Sequence, residues 1–379
     1  MSEKQEEKNK FILISAGGTG GHMSPASALT TNLKSRGFRV ELITDERGKK
    51  FENMFKGLTI HVIKSGTAGP GIMGKVKGAI NLAHGIIQAR ARIKILKPDL
   101  VIGFGGYPSF PAVYMAQKFD IPTIIHEQNA ILGKANEMLA PNAERIAFSW
   151  PQSSGLEKED QLRAVITGNP VRPEISELKD AEYPEITEEG NIRIFIMGGS
   201  LGASIFSDVI PAALSKLTED ERNKLEIVQQ CREQEIEETE KRYAELGKKV
   251  TLRAFFDDVA EQYKQTHLFI GRSGASTVAE LSVIGCPAIY VPYPYHKDQQ
   301  QKKNADVMAG RGAAIVIEQR DFNADMLSNK LREMIQKPEI LQDMAENAKQ
   351  GGEKSAARKL GNLVAAIVNS ETVSKSFEK

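Results

Sequence analysis

Cysteine is nearly absent. Only Cys231 and Cys286 occur in 379 residues, and neither has a second cysteine or a histidine at metal-ligand spacing. They cannot make a disulfide framework or a zinc module, which favours a reducing compartment. Long apolar runs are missing as well: no stretch approaches the roughly 20 apolar residues needed to cross a bilayer. Residues 1–10 are charged and lack an apolar centre, so they read as a disordered tail and not as a signal peptide. A cytoplasmic protein is expected. Excess charge of one sign is also lacking: 50 Lys and Arg against 49 Asp and Glu leave a net charge of +1. Bulk attraction to nucleic acid is thereby excluded, and any charged partner has to be met by a local patch.

What the chain does contain is an alternation of short apolar runs with amphipathic stretches. Strand-like runs fall at 11–15, 39–44, 59–63, 99–103, 122–126 and 145–149, and again at 193–197, 225–229, 249–253, 267–271, 288–292 and 313–317. Helical stretches separate most of them, the pattern of βαβ units and parallel sheets. The fold class is α/β. Phe11-Ile-Leu-Ile-Ser-Ala-Gly-Gly18 and Arg193-Ile-Phe-Ile-Met-Gly-Gly199 repeat one device, a buried strand running into paired glycines, a domain's length apart. Two Rossmann-like doubly wound domains with an interdomain cleft are predicted, at 11–168 and 169–352. The hinge is placed near residues 165–173, where Gly168, Asn169, Pro170 and Pro173 break the pattern. Residues 353–379 read as a helix returning to the first domain, followed by a tail.

Three glycine turns follow strands: Gly17-Gly-Thr-Gly-Gly-His22, Gly103-Phe-Gly-Gly106 and Gly198-Gly-Ser-Leu-Gly-Ala203. Glycines let backbone N–H groups approach a ligand, and a helix N-terminus adds partial positive charge. Each turn taken singly can equally be structural. Neither helix-opening turn fits G-x-G-x-x-G, no ribose-binding acid follows the first, and the P-loop lysine is missing. A phosphate-bearing ligand other than a dinucleotide fits best.

These turns stand among further motifs: Gly103-Phe-Gly-Gly-Tyr-Pro-Ser-Phe-Pro111, His126-Glu-Gln-Asn129, Gly168-Asn-Pro-Val-Arg172, Arg272-Ser-Gly-Ala-Ser-Thr-Val-Ala-Glu280 and His296-Lys-Asp-Gln-Gln-Gln301. In this order, from about residue 11 to 365, they resemble the bacterial MurG family. The resemblance implies a GT-B type fold and an inverting, metal-independent hexosyltransferase with no cofactor. Its donor is UDP-N-acetylglucosamine (UDP-GlcNAc). Its acceptor is the C4 hydroxyl of undecaprenyl-diphosphate-linked N-acetylmuramyl pentapeptide (lipid I), and its product is lipid II of peptidoglycan synthesis. Other cell-wall synthesis and division proteins are further expected partners. Two rivals remain: another UDP-sugar enzyme such as a UDP-GlcNAc 2-epimerase, and a non-catalytic nucleotide-sugar-binding protein.

By the same resemblance, Glu280 accepts hydrogen bonds from the ribose diol, against the alternative of a plain helix carboxylate. Arg172 and Ser200 meet the donor diphosphate, with Arg272 a further candidate unless it pairs with Asp257 or Asp258. Ala275, Ser276, Thr277, Val278 and Ala279 complete the donor helix start, and Phe256 lends backbone groups to uracil or simply fills core. Gln300, Gln301 and Asn129 offer amides to the sugar, and Thr19, Gly20 and Gly21 line its first-domain side. Gly105, Gly106 and Tyr107 are assigned to the acceptor. His22 is the candidate general base, because a near-neutral imidazole can take a hydroxyl proton, against the alternative of a histidine that only caps the turn or binds acceptor phosphate; Glu127 is the rival base. Asp257 and Asp258 read as helix caps, and no metal site is assigned.

From residue 53 to 98 there is no acidic residue, while Lys56, Lys64, Lys75, Lys77, Arg90, Arg92, Lys94 and Lys97 occur. Ile72, Met73, Val76 and Ile80 interleave with them, three at helical spacing. Basic and apolar groups together suit an anionic membrane surface, and a buried helix with a basic outer face is the alternative. The patch lacks stacking aromatics, against nucleic acid. The expected location is peripheral, on the cytoplasmic face of the plasma (inner) membrane.

Overall fold

The computed structural model describes residues 10–66, 71–151, 153–186, 191–199, 202–296 and 298–377. The expected N-terminal tail lies outside them except for Lys10, and so does Ser200. The chain forms two compact units, Met1–Arg172 with Ser355–Lys379, and Pro173–Lys354.

In unit 1 the strands are β1 (Phe11–Ser15), β2 (Arg39–Thr44), β3 (Ile60–Val62), β4 (Leu100–Gly103), β5 (Thr123–Glu127), β6 (Arg145–Phe148) and β7 (Ala164–Ile166). They form one parallel sheet in the order β3-β2-β1-β4-β5-β6-β7. Every residue of β1 is buried, as expected of a parallel strand covered on both faces. Its side chains alternate, so Phe11 and Leu13 enter one core while Ile12 and Ile14 enter the other. Helix α1 (Gly20–Ser35) covers the second core through Met23, Leu29 and Leu33. The C-terminal helix Ala356–Phe377 packs there through Leu360 and Val364.

Helices α2 (Gly71–Leu96) and α3 (Gly106–Lys118) cover the first core. The inward face of α2 is Gly78, Gly85, Ala89 and Ile93. A Cβ on Gly85 would stand 2.0 Å from the Lys64 carbonyl oxygen, so only glycine allows this approach. The opposite face is left to solvent: Ile72 is 82% and Met73 87% exposed, with Val76 and Ile80 about half exposed. The apolar residues at 72, 73, 76 and 80 are therefore not core, whereas Leu82 and Ile86 further along the helix pack on the first core.

The boundary between the units, Arg172 to Pro173, falls within the expected hinge at 165–173, and strand β7 is the element that the sequence pattern does not reveal there. Three residues are too few to display an alternation, and the strand exists through its pairing with β6, Ala147 opposite Val165.

Unit 2 repeats the architecture with β8 (Ile192–Met197), β9 (Leu225–Gln230), β10 (Thr251–Arg253), β11 (Leu268–Gly271), β12 (Ala288–Tyr290) and β13 (Ala314–Val316). This sheet is also parallel, in the order β10-β9-β8-β11-β12-β13. Helices α4 (Ser204–Leu214), α5 (Ala275–Ile284) and α6 (Gln300–Ala309) flank it. Within each sheet the winding reverses, between β1 and β4 and between β8 and β11. Ligands of such sheets gather outside the carboxyl ends at that point. The turns after β1, β4, β8 and β11 are the motif turns of the sequence.

Candidate active site

The first turn is held by Asp45, at the end of β2. Its Oδ1 accepts from Gly18 N at 3.1 Å and Gly48 N at 2.9 Å, and its Oδ2 from Arg47 Nε at 3.0 Å and Ser65 Oγ at 2.9 Å. Burial opposes ionisation, but the bonds from Gly48, Arg47 and Ser65 prevail and hold this carboxyl below its ordinary range. Gly17 is required by space: a Cβ would lie 2.6 Å from Pro108 Cβ and 2.8 Å from Asp45 Oδ1. Thr19, exposed, precedes α1, and Gly20, Gly21 and His22 form its first turn.

The turn after β4 is placed against His22. Gly105 and Gly106 both have positive φ, 76° and 69°, which disfavours any side chain there. A Cβ on Gly106 would sit 3.1 Å from His22 Nε2. Tyr107, the next residue, is 44% exposed. His22 Nδ1 lies 3.0 Å from Gln128 Oε1. Among the described residues, His22 Nε2 makes no hydrogen bond.

Glu127 is differently engaged. Its Oε1 accepts from Asn129 N and Asn129 Nδ2, both at 3.0 Å, and its Oε2 from Gly133 N at 2.9 Å and Asn136 Nδ2 at 2.8 Å. Four donors meet a carboxylate's capacity. This buried group ties down the 128–133 loop and with it Asn129. Arg172, half-buried, ends unit 1.

In unit 2, α5 opens at Ala275 after Gly274, with Ser276 and Thr277 half-buried on its first turn. Ala275, Val278, Ala279 and Glu280 are buried, and the Tyr263 hydroxyl donates to Glu280 Oε2 at 3.4 Å. Across the turn after β8, Gly198 N donates to Gln230 Oε1 at 3.1 Å. The Phe256 ring is core, edge-on to Phe195 at 5.1 Å. Gln301 Oε1 accepts from Tyr293 N at 2.9 Å, and Gln300 Nε2 donates to Asp298 at 2.7 Å.

Arg272 does not take the expected alternative partner. Its guanidinium donates to the Val291 and Pro292 carbonyls at 2.8 and 3.1 Å and to Gln319 Oε1 at 2.6 Å. Asp258 faces Arg253 and Gln262 instead, and its side chain forms no cap bond at the helix it precedes. Among the described residues, no group of three His, Cys, Asp or Glu side chains is placed to hold a metal ion. The sequence reading passed over Asp45 and Gln128. Gln128 stood inside the His126–Asn129 motif without a role, and only its contacts reveal one.

Residues 12–148 match the glycosyltransferase family 28 N-terminal domain, and residues 193–360 the family 28 C-terminal domain. A Rhodospirillum centenum protein is 45% identical over 93% of each chain; it is named UDP-N-acetylglucosamine--N-acetylmuramyl-(pentapeptide) pyrophosphoryl-undecaprenol N-acetylglucosamine transferase. The chain belongs to the MurG family of glycosyltransferases. A Paramagnetospirillum magneticum protein of the same name is 43% identical over 96% of this chain and 98% of its own. The crystal structure of Acinetobacter baumannii MurG superposes with a TM-score of 0.76 at 28% identity, covering 93% of this chain and 98% of that one. The fold is thus of GT-B type, two Rossmann-like units in one glycosyltransferase chain. An S. aureus structure of MnaA with UDP reaches 0.67 at 14% identity over 95% and 97% of the two chains. The architecture therefore extends beyond the family, and it is family membership that singles out the transferase.

Proposed function

We propose that this MurG family member transfers N-acetylglucosamine from UDP-GlcNAc to the C4 hydroxyl of undecaprenyl-diphosphate-linked N-acetylmuramyl pentapeptide. The observation that carries the reading is 45% identity to a transferase of that name over 93% of both chains. In the proposed step the acceptor oxygen attacks the anomeric carbon of the donor, inverting it. The hydroxyl proton passes to His22 Nε2, while the bond to the diphosphate breaks and UDP leaves with its electron pair. Glu280 holds the ribose, and Arg172, Ser200 and the start of α5 meet the negative charge of the departing diphosphate. Gln300, Gln301 and Asn129 bind the sugar. The turn at Gly105, Gly106 and Tyr107 receives the acceptor beside His22. The open Nε2 of His22 and the four donors on Glu127 support His22 as the base and Glu127 as an anchor.

We assign the reaction no metal ion and place the enzyme on the inner face of the plasma membrane. The support is the outer face of α2, where Ile72, Met73, Val76 and Ile80 stand exposed with exposed Lys75, Lys77, Arg90 and Arg92. No helix among the described residues is long and apolar enough to cross a membrane. Basic groups contribute about 1 kcal/mol each near an anionic leaflet. The test is incubation with UDP-GlcNAc and a short-chain lipid I analogue, with and without EDTA. Release of UDP with formation of a disaccharide in both arms is expected. Epimerised UDP-sugar without disaccharide would overturn the transferase, and loss in EDTA restored by magnesium would overturn the metal-free step.

A further inference from the structure

The hydrogen bonds behind His22 determine where its proton resides. His126 Nε2 lies 3.0 Å from the Gly168 carbonyl oxygen. A carbonyl only accepts, so Nε2 bears the hydrogen. The ring is fully buried, and burial, reinforced by the His22 charge, pushes its pKa down to about 4, against the Gly168 bond. It is therefore neutral, and Nδ1 carries the lone pair.

Gln128 Nε2 stands 2.9 Å from that Nδ1 and 3.1 Å from the His126 carbonyl oxygen. Flipping the amide would aim its oxygen at two acceptors, so this orientation is fixed. Gln128 Oε1 is then the atom 3.0 Å from His22 Nδ1. An amide oxygen accepts, so Nδ1 of His22 donates, and the lone pair of neutral His22 is left on Nε2. Gln128 is 1% exposed and His126 fully buried, so water does not compete for these bonds. All four groups belong to unit 1.

We propose that Gln128 is a positioning residue: anchored by His126 and the Gly168 carbonyl, it holds His22 as the Nδ1–H tautomer and presents the Nε2 lone pair to the acceptor hydroxyl. This rests on the reading of His22 as the base. When the hydroxyl proton arrives at Nε2, the Nδ1–H bond to Gln128 becomes charge-assisted and strengthens, which favours the transition state over the resting enzyme. His126 never exchanges a proton in this scheme; its place is to fix the amide.

The test is the histidine tautomer, read in long-range proton–nitrogen NMR spectra of the full chain labelled with 15N-histidine. Six histidines are present, and the His22 signals are those missing from His22→Ala. Wild type is expected to show His22 as Nδ1–H, the tautomer less favoured by a free histidine side chain in water. Gln128→Met, similar in size but without donor or acceptor, should move His22 towards Nε2–H. It should also lower kcat on the order of 10²-fold with KM for UDP-GlcNAc unchanged. A wild-type His22 found as Nε2–H overturns the proposal, with no variant required to fold. So does a folded Gln128→Met that keeps Nδ1–H or full kcat. If His22→Ala turns over normally, the base assignment fails separately, whatever the tautomer.

Discussion

The buried neutral imidazole of His126 makes the stability of unit 1 depend on pH in a calculable way. In the unfolded chain the ring takes a proton below about pH 6.5, whereas in the fold it stays neutral to about pH 4. Between those values the unfolded state binds more protons, so stability falls as pH falls and the loss saturates below pH 4. At pH 5 the linkage relation gives a loss of about 2 kcal/mol, approaching about 3 kcal/mol near pH 4. The depressed carboxyls of unit 1, Glu41 and Asp45, act lower. Their stabilisation is complete above their unfolded values of 4.5 and 3.8 and is lost only as pH falls further. His267, lowered by burial, lies in unit 2. The sole tryptophan, Trp150, is buried and belongs to unit 1, so its fluorescence follows that unit. Urea titrations at pH 7.5 and pH 5 should show the loss in wild type. In His126→Asn the difference between the two pH values should largely disappear, though the variant starts less stable. A wild type equally stable at both pH values, or a variant with the same pH difference, would refute the reasoning.

Three further outcomes are expected. Glu280→Ala should weaken UDP-GlcNAc binding by roughly 1–3 kcal/mol in calorimetry, and unchanged affinity would remove Glu280 from the ribose. Changing Lys75, Lys77, Arg90 and Arg92 to glutamate should abolish salt-sensitive sedimentation with anionic vesicles; equal sedimentation of wild type and variant would take α2 off the membrane. Glu127→Gln should cost roughly 1–3 kcal/mol of Trp150-detected stability, because its amide nitrogen must face two of the four donors. An equally stable Glu127→Gln without turnover would make Glu127 the base.

The sequence was most legible where one residue run decides an element. Phe11–Ser15 can hardly be other than a doubly buried strand, and its echo at 193–197 marks the second sheet. Strand β7 escaped because its cause is pairing with β6 and not its own three residues. On α2, an apolar stripe at 72, 76 and 80 reads equally as core or as surface. Gly85 marks the inward face only once the Lys64 carbonyl is seen passing over it. The charge of Arg272 suggested a phosphate, while the fold turns its guanidinium onto the Val291 and Pro292 carbonyls. The link from Gly168 through His126 and Gln128 to His22 joins positions far apart in sequence, and no local pattern announces it.

Steady-state kinetics of His22→Ala decide whether His22 receives the acceptor proton. UDP-GlcNAc affinity should be largely intact, because the residues assigned to UDP other than Arg172 belong to unit 2, while kcat falls by ~10²–10⁴-fold. A variant with normal kcat that merely needs more acceptor would contradict the claim and assign His22 to binding.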